Sequence, residues 1–95
     1  AVSVGSTKPL TGHTLGAAGA LEAAICYTAL VQNAGKAEDD IVLPKHVWDG
    51  AGDAELPPLN IAGAAGAKHT GRVQICMSNS FAFGGANASL VIGLQ

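Results

Sequence analysis

The apolar residues of this chain gather at its two ends, on either side of a long charged middle. From about Leu15 to Asn33 the sequence is rich in alanine, leucine and isoleucine and long enough to predict a helix, with Gly35 close behind as a stop signal. That stretch is apolar nearly all the way round, which predicts a buried helix covered on more than one side. Its small positions, Gly16, Ala17, Gly19, Ala20, Ala23 and Ala24, would admit another backbone at close range. Val73 to Met77 and Ala88 to Leu94 are short apolar runs bounded by glycine and asparagine, the pattern of strands buried on both faces. The opening Ala-Val-Ser-Val is strand-like as well, so the order is β-α-β-β, an α/β chain whose last two strands are joined through Ser78 to Asn87.

Charge sharpens this division. Lys8 and Glu22 are the only charged residues before Lys36, and none follows Arg72. Residues 36–72 hold the other charges, Pro44, Pro57, Pro58 and a Gly-Ala-Ala-Gly run from Gly63, and so read as a long solvated connection with one short strand near Leu59 to Ala62. At 95 residues the chain is one domain or a piece of one. A net charge of −2 with no cluster of Lys or Arg argues against a nucleic-acid partner. Cys26 and Cys76 lie in apolar runs without CxxC spacing, which favours small buried thiols in a reducing cytoplasm over a disulfide or a metal site. Glu22, Tyr27 and Thr28 make the Leu15 to Val31 run a core helix rather than a membrane span. No basic leader precedes an apolar run, so no signal peptide is expected, and a chain that opens in a strand without methionine reads as starting inside a longer protein.

Two clusters carry the candidate chemistry. The first is Ser6-Thr7-Lys8-Pro9-Leu10-Thr11-Gly12-His13, which sets a cation, hydroxyls and an imidazole in one loop leading into the helix. Glu22 follows His13 by about 13 Å of helical rise, too far to touch it along one helix. It meets Lys8 only if the loop folds back, and a carboxylate in core-like sequence needs a partner. Lys8 taken by itself reads more readily as a solvated turn charge. His13 suits either a helix cap or a satisfied core histidine, or a neutral donor to a developing oxyanion near the positive end of a helix. The second cluster is Ser78-Asn79-Ser80-Phe81-Ala82-Phe83-Gly84-Gly85-Ala86-Asn87. A glycine turn between two strands accounts for its shape, but an uncharged loop with this many polar groups is expected to be buried and to need partners. Gly84 and Gly85 would let main-chain N–H groups aim inward, as an oxyanion hole requires.

These two runs, with the Gly16-Ala-Ala-Gly-Ala helix start between them, resemble the β-ketoacyl-acyl-carrier-protein synthases over Val2 to about Val31 and Val73 to Leu94. The segment containing Leu-Pro-Lys-His-Val-Trp-Asp-Gly lies outside the matched pattern and is faintly similar to condensing enzymes of aryl-polyene and polyketide-like pathways. The resemblance implies the C-terminal portion of a thiolase-like αβαβα fold, with a mixed sheet and a buried helix, over residues 1–95. It implies decarboxylation of malonyl-carrier protein and attack of the resulting carbanion on an enzyme-bound acyl thioester.

By the same resemblance His13 donates to the malonyl thioester carbonyl, and Lys8, paired with Glu22, is the site's structural and electrostatic lysine. Phe83, with Phe81, gates the substrate, and the Phe83 N–H joins the oxyanion hole. Glu22, Ser78 and Asn79 match positions that surround a monovalent cation in some members. The implied partners are an acyl carrier protein bearing phosphopantetheine, the remainder of the synthase chain and a second copy in a homodimer, with a heterodimer as the variant arrangement. No intrinsic cofactor is implied. The family's glycine between the two phenylalanines is Ala82 here, which stiffens the loop. Its nucleophilic cysteine and first histidine match nothing in the chain, so these residues alone are expected to be inactive. A non-catalytic, chain-length-factor-like partner subunit is the competing reading, and a free-standing interaction module fits the apolar ends poorly.

Overall fold

The computed structural model describes residues 2–63 and 69–95; the Gly-Ala-Ala-Gly run beyond Gly63 lies outside the described residues. The chain begins in a short strand β1 (Ser3–Val4), then makes a one-turn helix α1 (Lys8–Thr11) with Pro9 in its first turn, where a missing N–H costs nothing. A 3-10 turn over Leu15–Ala17 leads into helix α2 (Ala18–Asn33). After the middle segment come β2 (Asn60–Ile61), β3 (Ile75–Phe81) and β4 (Asn87–Gly93).

The expected short strand near Leu59 is β2, and it pairs parallel with β1, Ser3 opposite Asn60 and Val4 opposite Ile61. β3 and β4 form an antiparallel hairpin in register from Ile75 opposite Gly93 to Phe81 opposite Asn87. The expected single mixed sheet is therefore two separate two-stranded sheets among the described residues. Ser78, Asn79 and Ser80, assigned by sequence to a loop, instead continue β3, because serine and asparagine complete the ladder as well as apolar residues do. The connection proper is only Ala82 to Ala86, closed by a hydrogen bond from Ala82 N–H to Ala86 O at 2.8 Å.

Burial departs furthest from expectation. α2 packs on β3 and β4, yet of its residues only Ala18, Ala29, Leu30 and Asn33 are buried, and Ala17, Ala20 and Ala24 face open space. A Cβ on Gly16 would meet nothing, and one on Gly19 would meet only the Ser80 hydroxyl at 3.9 Å. A two-stranded ribbon is too narrow to cover a helix that is apolar all round. The hairpin is likewise covered on one face. In β3 Cys76, Ser78 and Ser80 turn toward α2 and are half-buried, while Ile75, Met77, Asn79 and Phe81 are exposed. By length and composition Leu15–Asn33 could also cross a membrane.

The C-terminal end of α2 is fixed by a buried amide. Asn33 Nδ2 donates to Ala29 O and to Val42 O, both at 2.8 Å, and its Oδ1 accepts from Val42 N–H at 2.9 Å. The side chain thus behaves as a one-residue strand partner for Val42 and ties the middle segment to the helix.

Candidate active site

The lysine loop starts where β1 ends. Ser6 Oγ accepts the Lys8 N–H at 3.2 Å, Thr7 O accepts from Leu10 and Thr11, and Gly12 N–H donates to Lys8 O at 2.8 Å, which closes α1. Gly12, at φ 74°, then turns the chain back toward α2. This reversal brings Lys8 Nζ onto Glu22 Oε1 across 14 residues of sequence. The side chains are 41% and 20% exposed, so the pair sits at a cleft wall rather than deep in a core.

His13 lies at the outer end of the same reversal. Its Nδ1 accepts the Leu15 N–H at 3.3 Å, and Leu15 holds a positive φ of 51°, a conformation that costs a non-glycine residue about 1–2 kcal/mol. A neutral imidazole whose Nδ1 accepts must carry its proton on Nε2, which leaves Nε2–H as a donor.

A cleft of about 760 Å³ opens between the lysine loop, α2 and β3. Lys8, Glu22, Ser78 and Asn79 all line it, together with Cys26, Cys76 and His69. His13, Phe81 and Phe83 do not line it. Phe81 is 77% exposed and Phe83 is 105% exposed, so the turn expected to be buried stands clear of the described residues. Gly84 and Gly85 both take φ near 83°, the freedom the glycine pair was expected to supply.

Ser78 and Asn79 are neighbours on a strand, so their side chains leave opposite faces. Ser78 turns toward α2, whereas Asn79 Oδ1 accepts from Ser89 Oγ at 2.6 Å across the hairpin. All three residues matched to a cation site line the cleft, but Glu22 is already paired with Lys8 and the Asn79 side chain is engaged across the hairpin. Among the described residues no three His, Cys, Asp or Glu side chains gather to hold a metal.

The two cysteines face one another across α2 and β3. Burial pushes the Cys26 thiol up; the Cys76 thiol, which interacts with it, pulls it back, and the Glu22 carboxylate adds a smaller upward push. Burial likewise raises Cys76, with Cys26 adding to the rise. A raised thiol is a poor nucleophile at neutral pH, which agrees with reading both as packing residues.

Sequence reasoning missed three side chains around β1. Ser3 Oγ is 3.1 Å from His69 Nδ1 and accepts from Asn60 Nδ2 at 3.2 Å, and Ser6 N–H donates to His46 Nδ1 at 2.9 Å. Each partner lies 40 or more residues away, and no spacing rule reaches that far.

The family model for the C-terminal domain of β-ketoacyl synthases matches residues 1–37. Curated relatives extend the similarity across the middle segment that the sequence pattern left unmatched. A 3-oxoacyl-[acyl-carrier-protein] synthase 2 of Vibrio harveyi is 41% identical over 96 residues, 95% of this chain and 19% of the relative. A 3-oxoacyl-[acyl-carrier-protein] synthase 1 of Haemophilus influenzae is 39% identical over 89 residues, 94% of this chain and 20% of the relative. The chain thus spans about a fifth of the length of the curated relatives it matches. No solved structure matches it.

Proposed function

This chain belongs to the β-ketoacyl synthase family, and we propose that it forms the C-terminal part of an elongating synthase with a thiolase-like fold, the remainder of which covers the open sides of α2 and the hairpin. The reaction is a decarboxylative Claisen condensation. An acyl chain moves from carrier-protein phosphopantetheine to a cysteine supplied by sequence outside these residues. Malonyl-carrier protein then loses carbon dioxide, the electrons of the broken bond pass to the α-carbon, and that carbon attacks the acyl thioester and expels the cysteine thiolate.

The supporting observation is the Lys8–Glu22 pair, an ion pair formed across the loop by the lone charges of two otherwise uncharged segments. It keeps a cation at the cleft wall without leaving an uncompensated carboxylate there. The His13 tautomer suits a donor to the thioester carbonyl, since Nε2–H can bond the oxygen as enolate charge grows. Phe83, with Phe81, gates the entrance, and the Phe83 N–H completes the oxyanion hole. A monovalent cation beside Glu22 and Ser78 is structural in this reading. The protein works as a cytoplasmic homodimer, and residues 1–95 alone are inactive because covalent transfer needs the missing nucleophile.

The test is His13→Ala in the intact synthase. Malonyl decarboxylation should fall about 100- to 1000-fold, the usual effect of removing one oxyanion donor, while acyl transfer to the cysteine persists. Equal loss of both half-reactions would make His13 structural. A parent protein that performs neither half-reaction would favour the non-catalytic partner subunit.

A further inference from the structure

His46 lies in the middle segment, far in sequence from every candidate catalytic residue, yet it touches the loop that carries Lys8 and His13. The residue is half-buried. Its Nδ1 accepts the Ser6 N–H at 2.9 Å, and its own N–H donates to Ala62 O at 3.2 Å. Ala62 N–H in turn donates to Val4 O at 2.8 Å. His46 therefore holds both strands of the parallel pair at their shared C-terminal end: its side chain grips the loop leaving β1, and its main chain grips the residue that follows β2.

The fit around the ring is close. Gly5 packs beside it, for a Cβ there would lie 3.4 Å from His46 Cβ and 3.9 Å from Nδ1, in ordinary van der Waals contact. On the other side Trp48 meets the imidazole edge-on, with centroids 5.8 Å apart and planes at 75°. Because Nδ1 accepts, the ring is in the Nε2–H tautomer, and only an acceptor at that position can satisfy the Ser6 amide in this way.

The Ser6 amide is one step from Lys8. Ser6 Oγ accepts the Lys8 N–H at 3.2 Å, and Lys8 opens the single turn from which its Nζ reaches Glu22. We propose that His46 is a positioning residue for Lys8: by accepting from Ser6 it fixes the start of the α1 turn and so sets where the lysine charge stands in the cleft. The catalytic consequence rests on the function proposed above; the positioning itself does not.

Two variants of the intact synthase separate the acceptor from the ring. His46→Asn keeps an acceptor oxygen near the place of Nδ1 and loses the contact with Trp48. His46→Phe keeps a ring against Trp48 and loses the acceptor. If His46→Phe does not fold, His46→Leu takes its place. Hydrogen–deuterium exchange at the Ser6 amide should quicken about tenfold in the phenylalanine variant, the scale of one lost hydrogen bond, and stay near the parent rate in the asparagine variant. The kcat for malonyl decarboxylation should follow the same order, lowered with phenylalanine and restored with asparagine. Unchanged exchange at Ser6 in His46→Phe, equal damage in both variants, or a loosened Ser6 with undiminished decarboxylation would overturn the proposal. A parent protein without decarboxylation would instead defeat the proposed function, and exchange at Ser6 would still decide whether His46 holds the turn.

Discussion

Lys8 lines the cleft and Phe83 does not, and the chain holds the two by different means. Around Lys8 the structure is specified by side chains: Glu22 takes the ammonium, Ser6 Oγ takes the Lys8 amide, and His46 takes the Ser6 amide. Around Phe83 no side chain among the described residues does comparable work. The turn is shaped by one main-chain hydrogen bond and two glycines at positive φ, and Phe83 is fully exposed. A site wall fixed by side-chain contacts keeps its geometry within this chain. A wall fixed by backbone conformation alone keeps its path but leaves the side chains to be covered by something else.

The largest effect is expected at the Asn33 anchor of α2. Asn33→Ala removes the side chain that joins Ala29 and Val42; the Val42 groups are only part-buried, so the expected loss is about 1–3 kcal/mol in all. A fall in the denaturation midpoint of the intact synthase to match is the expected result. An unchanged midpoint would mean that water replaces the amide and that α2 is not anchored there.

A smaller loss is expected on the glycine side. Gly84→Ala puts a Cβ into open space, since nothing lies within 4 Å of that position, so its cost is conformational alone, about 1–2 kcal/mol for φ of +83°. If the same variant loses much more in the intact synthase, the turn is covered there by contacts that a Cβ would displace, and the contrast between the two walls belongs to this chain only.

The smallest effect concerns the ion pair. Sequence placed Lys8 and Glu22 in core-like segments, where breaking one partner costs about 3–5 kcal/mol. With Lys8 41% exposed, solvent screening brings the expected coupling to about 1 kcal/mol or less. A double-mutant cycle with Lys8→Met and Glu22→Gln measures it. Coupling near the buried-pair value would show that the rest of the synthase closes over the pair; none at all would separate the two residues.

What the sequence made legible was local. α2 announced itself by length and composition, the hairpin by two apolar runs around a glycine turn, and the Lys8–Glu22 contact by the scarcity of charge on either side. What it hid was of two kinds. Apolarity all round α2 and in β3 reports how many layers those elements can bury against, and the layers present here cover only part of that surface. Contacts such as Ser6 with His46 and Ser3 with His69 depend on where β2 returns, and no periodicity in residues 36–72 records that return. Ser78 to Phe81 misled for a simpler reason: a polar stretch beside a glycine turn looks like loop whether or not its backbone stays in a ladder.

The pairing of β1 with β2 also bears on how this piece of chain is made. Ser3 and Asn60 are 57 residues apart, so the ladder forms only after a large loop has closed, and the entropy of that closure is lost before any ladder hydrogen bond forms. Helix α2 is complete at residue 33 and can form on its own timescale, whereas the strand that launches the lysine loop waits for residue 60. During synthesis the lysine, its serine and its glutamate all leave the ribosome well before the segment that orients them, and the first of these residues to be made is among the last to find its place.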